Sequence, residues 1–250
     1  MSFRSNILGQ KRSVLEAGGL EMGGIIGYNM ADPTYFASKT NELVASDITV
    51  EAINATDVRF WITRDFTFIN GTWFGGMPLT FFHDYSLRCK HFGQVCFKNQ
   101  QSLISLIANG VLSTSNGLLQ GAHYCSYLEL NAMTTFGPYT FADADALVSI
   151  NLPAAYNLSL ITSAFYFSNL LEEVLLPECT VIGGDNILWS SPKIVKLYMP
   201  KLQSFASNPF GNIPAGCAIT VPVAFATSNG GGEDVNIAFA RARGCPINYV

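Results

Sequence analysis

The sequence predicts a solenoid, in which short parallel β-strands of successive units stack and irregular or short helical segments return the chain between them. Three observations carry this expectation. The first is a period of 22 to 24 residues: Asn131, Pro153, Pro177, Pro200 and Pro222 recur at gaps of 22, 24, 23 and 22. The second is that apolar residues keep step with it. Twelve positions before each marker stand Leu119, Phe141, Phe165, Leu188 and Phe210; three before stand Leu128, Ile150, Val174, Leu197 and Ile219; one before stand Leu130, Leu152, Leu176, Met199 and Val221. The third is that the residues ahead of each marker alternate apolar and polar, the period of a half-buried strand. A unit this short cannot enclose a core alone, so neighbours must share one.

The units follow in order. Phe97, Leu103, Leu106 and Ala108 form a weaker first copy ahead of Asn109. In ALVSINLP, Leu147, Ile150 and Leu152 point inward while Ser149 and Asn151 point out. Proline then ends the strand, having no N–H to give the ladder. The segment AAYNLSLITSAFYF returns the chain, with Leu158 and Phe165 as inward anchors. SNLLEEVLLP places Leu171, Val174 and Leu176 inside, Glu173 and Leu175 outside. PKIVKLYMP places Ile194, Leu197 and Met199 inside, Lys196 and Tyr198 outside.

The ends do not share the period. Residues 1–71 are read as an extended arm with a small β segment, suited to assembly or anchoring. Its early glycines lack the sequence of a phosphate-binding loop. Residues 41–53 suit helix or strand alike. VRFWITRDFTF alternates as strands do, and Asn70-Gly71 reads as a turn. Residues 72–96 form a transition and N-terminal cap with a degenerate first turn. Residues 97–222 are the solenoid. Residues 223–250 form a C-terminal cap: a helix from Glu233 to Arg243 with Val235, Ala238, Phe239 and Ala242 as its apolar stripe, acids first, arginines last, and Gly244 as the stop. Ile247 and Tyr249 add an edge strand.

Composition narrows the function classes. Charged residues are 13% of the chain, and between Asn99 and Pro192 there are seven acids but no Lys or Arg. Such a surface does not suit nucleic acid, which requires clustered cations. It fits either a solenoid coated in Ser, Thr and Asn or one covered by partner subunits. No stretch reaches 18 consecutive apolar residues, so no membrane span is expected. The opening MSFRSNILGQKRSVLEAGG has no uninterrupted apolar region or cleavage site, so no secretory signal is expected. Six cysteines form no CxxC pair; Cys89, His91 and Cys96 lack a second pair of ligands, so buried free thiols are expected and no metal or other cofactor.

Catalytic residues are not expected either. Glu172 and Glu173 face opposite sides of a strand, Asp143 and Asp145 sit in a turn, and Glu129 and Glu173 lie two strand spacings apart. The outward strand positions are the better candidates for a site. Tyr127, Glu129, Ser149, Asn151, Glu173, Leu175, Lys196 and Tyr198 would form a partner-binding ladder, with tyrosines giving amphipathic contacts and Glu129 and Lys196 giving charge specificity.

The aromatic-led turn, leucine-bearing strand and closing proline of CFKNQQSLISLI, YTFADADALVSINLP and AFYFSNLLEEVLLP resemble the BspA-like group of leucine-rich repeats. The resemblance covers about residues 97–222. It departs where the usual cysteine after the aromatic is missing and where Asn109 and Asn131 replace proline. Repeats of this kind also occur in virion proteins of bacteriophages that infect Bacteroidetes, and GGGEDVNIAFARARGCPINYV is similar to the closing segment of those proteins. The resemblance implies binding rather than catalysis: a structural subunit of a virion tail, fibre or head appendage, made in the host cytoplasm. Its expected partners are other virion proteins, met through the N-terminal arm in a multi-subunit assembly, and a host surface protein or glycan. The alternatives are a bacterial surface or secreted adhesin, an intracellular scaffold and, furthest off, a glycan-degrading enzyme.

Overall fold

The computed structural model describes residues 22–27, 34, 44–52, 57–62, 68–69, 78–159, 161–205 and 208–250. Three strands, β1 (Met22–Gly27), β2 (Ile48–Ala52) and β3 (Asp57–Ile62), come first. From β4 (Phe68–Ile69) onward the chain alternates between two faces. One face carries β4, β6 (His91–Phe92) and β8 (Ser113–Thr114). The other carries β5 (Leu79–Asp84), β7 (Ser105–Ile107) and β9 (Tyr127–Glu129). The second half repeats the alternation: β10 (Ser149–Asn151), β12 (Glu173–Leu175), β14 (Lys196–Tyr198) and β16 (Ala218–Val221) on the strand face, β11 (Asn157–Leu158), β13 (Val181–Ile182) and β15 (Ser204–Phe205) on the second.

The predicted solenoid is therefore present, as a parallel β-solenoid of about six turns. On the strand face Ser149 pairs with Glu173, Glu173 with Lys196 and Lys196 with Ala218, all parallel and without slip. Ile150, Val174, Leu197 and Ile219 thus stack on successive rungs, each at most 1% exposed. The residues one before each marker, Leu130, Leu152, Leu176, Met199 and Val221, are fully buried. Leu119, Phe141, Phe165, Leu188 and Phe210 are too, and the Phe141 and Phe165 rings stack 5.6 Å apart and within 5° of parallel.

The returns take the irregular rather than the helical of the two expected forms. Among the described residues of the repeat region there is no α-helix; each return adds a stretch of tight turns and a short second-face strand, reduced between β9 and β10 to a single bridge from Thr135 to Ser113. The turns build a third ladder: Phe97 donates its N–H to Leu118, Leu119 to Thr140, Phe141 to Ala164 and Phe165 to Ile187, at 2.8–3.0 Å. Two left-handed residues per unit make this possible. Val95, Gly117, Tyr139, Ser163 and Asn186 form one left-handed column; Asn99, Gly121, Asp143, Phe167 and Ser190 form the other. Only two of these ten are glycine. The conformation disfavours side chains, and the hydrogen-bonded ladder holds it in place.

One side of the solenoid is interrupted. The strand face falls into two sheets, β2-β3-β1-β5-β7-β9 and β10-β12-β14-β16-β17, with no pairing between β9 and β10. There Leu128 is only half-buried, unlike its equivalents. The other two sides stay connected across that step, through Thr134 O accepting from the Tyr156 N–H at 3.1 Å and Leu119 N–H donating to Thr140.

At the amino end β1 runs antiparallel to both β5 and β3, and β2 pairs with β3, so this segment extends the first sheet of the solenoid. The ambiguous stretch 41–53 includes a 3-10 turn at Ala45–Asp47 and then β2. The expected turn at Asn70-Gly71 lies outside the described residues.

At the carboxyl end α1 (Val235–Ala242) is capped by Asp234, whose carboxylate accepts from the Asn236 and Ile237 N–H groups. Gly244, at φ 86°, ends it. The expected stripe is corrected: Ile237 and Ala240 face the core, while Val235, Ala238, Phe239 and Ala242 face outward. The helix meets the solenoid along one narrow line, so an i, i+3 pair suffices. At its carboxyl end Arg243 donates to Ile213 O at 3.1 Å and lies over the Phe239 ring. β17 (Ile247–Tyr249) then pairs in parallel with β16, as expected of Ile247 and Tyr249.

Candidate functional site

The eight strand-face candidates all stand on strands, at alternate positions around centres that are buried in the second sheet and half-buried at Leu128. They fall into two groups because of the interrupted sheet. Tyr127 and Glu129 belong to β9, while Ser149, Asn151, Glu173, Leu175, Lys196 and Tyr198 share the second sheet. In that sheet they form two columns: Ser149, Glu173 and Lys196 in one, Asn151, Leu175 and Tyr198 in the other. Ser149 and Asn151 are exposed and the other four half-buried. Adjacent rungs lie about 4.8 Å apart, so the six side chains make one continuous surface.

One pair on that surface, and several polar residues near it, are bonded to one another. Lys196 Nζ lies 3.5 Å from Glu173 Oε1 across one rung, with the two side chains 44% and 39% exposed. Such a pair is screened and contributes little stability. Lys201 and Glu178, the residues after two closing prolines, pair at 2.7 Å. In the first group the Tyr127 hydroxyl bonds the Glu129 carboxylate. Asn109 Nδ2 donates to the other Glu129 oxygen at 3.0 Å, and Asn109 Oδ1 accepts from the Asn131 N–H at 3.1 Å. The two asparagines that stand where later units have proline therefore tie the first units together.

The structure also assembles groups that sequence reasoning missed. His83 Nε2 lies 2.9 Å from Ser105 Oγ, one parallel rung away, and Tyr85 Oη lies 2.9 Å from His83 Nδ1. This is a serine–histidine pair with a tyrosine where a hydrolase triad has a carboxylate. Neighbouring Asp84 turns elsewhere, accepting from Ser86 Oγ and the Cys89 N–H. His83 and Ser105 are 2% and 1% exposed, which places the serine out of reach of a substrate. A second group is a row along the turn face: His123 Nδ1 lies 2.7 Å from Asp145 Oδ2, and Asn169 Nδ2 donates to Asp145 Oδ1 at 2.6 Å. Their separations of 22 and 24 residues are the repeat period, which was the signal available for finding them.

The six cysteines are buried and unpaired. Their columns explain why: Cys89 and Cys179 share one with Val111, Met133 and Ala155, and Cys125 shares one with Leu103, Leu147 and Leu171. Burial pushes the thiols of Cys89, Cys125, Cys179 and Cys217 up to about 12, so they stay protonated and unreactive at neutral pH. Among the described residues no group of three His, Cys, Asp or Glu is placed to hold a metal ion. No described helix is long and apolar enough to cross a membrane.

Fold and surface together define a repeat protein, a β-solenoid with a regular outward ladder. Comparisons with protein-family models, with characterised proteins and with solved structures return no match.

Proposed function

We propose that the chain is a structural, protein-interacting subunit of a bacteriophage virion, seated in a tail, fibre or head appendage by its non-repeat N-terminal segment and contributing to host attachment. The observation that carries the interaction role is the six-residue surface from Ser149 to Tyr198, held in register over three rungs by an unbroken parallel sheet. A rigid, ordered surface loses little entropy on docking. Tyr198 and Leu175 supply apolar contact there, and Lys196 with Glu173 supplies exchangeable charge. The low charge content suits a protein surrounded by other subunits, and the resemblance of the repeats supports the virion setting.

The test joins a location to a variant. Mass spectrometry of purified phage particles should detect the chain, and the double variant Lys196→Ala, Tyr198→Ala should be incorporated at least about tenfold less, a loss of about 1.4 kcal/mol. Recovery in the bacterial envelope but not in particles would overturn the virion reading. Normal incorporation of the double variant would overturn the strand-face assignment alone.

A further inference from the structure

The turn face carries a cluster that the strand-face reading does not use. Tyr166 and Phe167 are consecutive, Phe167 at φ 53°, and Trp189 stands one unit further along. The Phe167 N–H donates to Trp189 O at 3.0 Å, so the two residues sit on facing rungs. Tyr166 meets Phe167 edge-on with ring centres 4.2 Å apart, and meets Trp189 edge-on at 5.6 Å. Phe167 is 41% exposed and Trp189 44%. Bulky rings kept at the surface, one of them on left-handed backbone, contribute little to the core; they form an apolar patch of the kind that marks a contact site.

The polar groups beside the rings indicate what the patch contacts. Asp143 lies on the rung before Phe167, its N–H bonded to Tyr166 O at 2.8 Å. Its carboxylate takes no hydrogen bond from any described residue, although burial and nearby Asp145 raise its pKa. Two residues past Phe167, Asn169 is clamped through its amide nitrogen by Asp145, which His123 holds from the other side. Asn169 is exposed, and its side-chain carbonyl oxygen accepts no hydrogen bond from any described residue. The Tyr166 hydroxyl and the Trp189 indole N–H also lack hydrogen-bond partners among the described residues.

We infer that this corner is a binding site for a neutral saccharide. The C–H face of a pyranose ring packs on Trp189 and Phe167, and its hydroxyls donate to Asp143 and Asn169. The charges decide against other partners. Two carboxylates with no Lys or Arg between Asn99 and Pro192 repel acidic glycans and nucleic acid. A protein partner would more often meet a continuous apolar centre with a polar rim, whereas here only two exposed rings, on adjacent rungs, stand directly beside the Asp143 and Asn169 acceptors. Asp145 and His123 are positioning residues that hold Asn169. The inference shares no residue with the strand face and does not depend on the virion reading.

The test is titration of the full chain with hexasaccharides of glucose, N-acetylglucosamine, mannose and galactose, followed by calorimetry and by Trp fluorescence. At least one is expected to bind saturably and to shift the emission. Trp189→Ala and Phe167→Ala should each weaken it about tenfold or more, and Asn169→Ala should weaken it without changing the thermal melt. Asp145→Asn should do the same by releasing Asn169, and His123→Gln, which keeps a donor, should retain binding. Absence of saturable binding to all four sugars would sink the assignment. So would binding that survives both aromatic substitutions, or sedimentation showing that the rings mediate self-association of the chain instead.

Discussion

Asp143 shows how one residue's setting becomes a measurable property. It sits at φ 55° beside Asp145, and partial burial followed by that like charge raises its pKa above the ordinary 3.8; nearby His123 opposes the shift. The sign follows from linkage. A carboxyl with a raised folded-state pKa favours the folded state most when protonated, below the unfolded value. That contribution is lost as pH rises through the higher folded value. Asp143→Asn keeps a side chain that tolerates left-handed backbone and removes the charge. The variant's melting temperature, relative to wild type, is therefore expected to rise between pH 3 and pH 7. A difference that stays flat or falls over that range would show that Asp143 is not held against its charge.

At the scale of the element, the turn ladder is the least tolerant part of the repeat. Gly184 has φ 87°, and a methyl group added there would stand 2.3 Å from the Thr162 backbone nitrogen. Backbone cannot move aside as a flexible side chain can. Gly184→Ala is expected to cost about 2 kcal/mol or more, from left-handed strain and the clash together, read as a lower urea midpoint at unchanged slope. Gly216→Ala is the control: it has similar φ but open space around it, so it should show the strain alone. These elements also mark where sequence was and was not legible. Strand residues such as Ile150 and Val174 could be read because alternation between core and solvent is written into residue type. The turn columns could not, because eight of the ten left-handed positions carry ordinary side chains, and six of these, Val95, Asn99, Tyr139, Asp143, Ser163 and Phe167, are held by N–H bonds to the next unit. The helix was legible as a helix from Asp234 and Gly244, but its buried face was not. Val235 and Phe239 are as apolar as Ile237, and only docking against the last unit selects between them.

For the whole molecule, stacking implies that each unit communicates chiefly with its neighbours, so stability should behave as a sum of local terms and nearest-neighbour terms. The strand-face core provides the test. Ile150 and Val174 are partners in register on adjacent rungs, whereas Ile219 lies three rungs from Ile150. At about 4.8 Å per rung that is roughly 14 Å. Ile150→Val, Val174→Ala and Ile219→Val each shorten a fully packed side chain, the isoleucine changes costing about 0.5–1.5 kcal/mol. The pair Ile150→Val with Val174→Ala should depart from additivity by about 0.5 kcal/mol or more, because both open the same local space. The pair Ile150→Val with Ile219→Val should add to within about 0.3–0.5 kcal/mol. Equilibrium urea unfolding of the two double-mutant cycles measures both terms. Coupling as strong across three rungs as across one would mean that the interior responds as a single globular core, with the repeats no longer acting as separate stacked units.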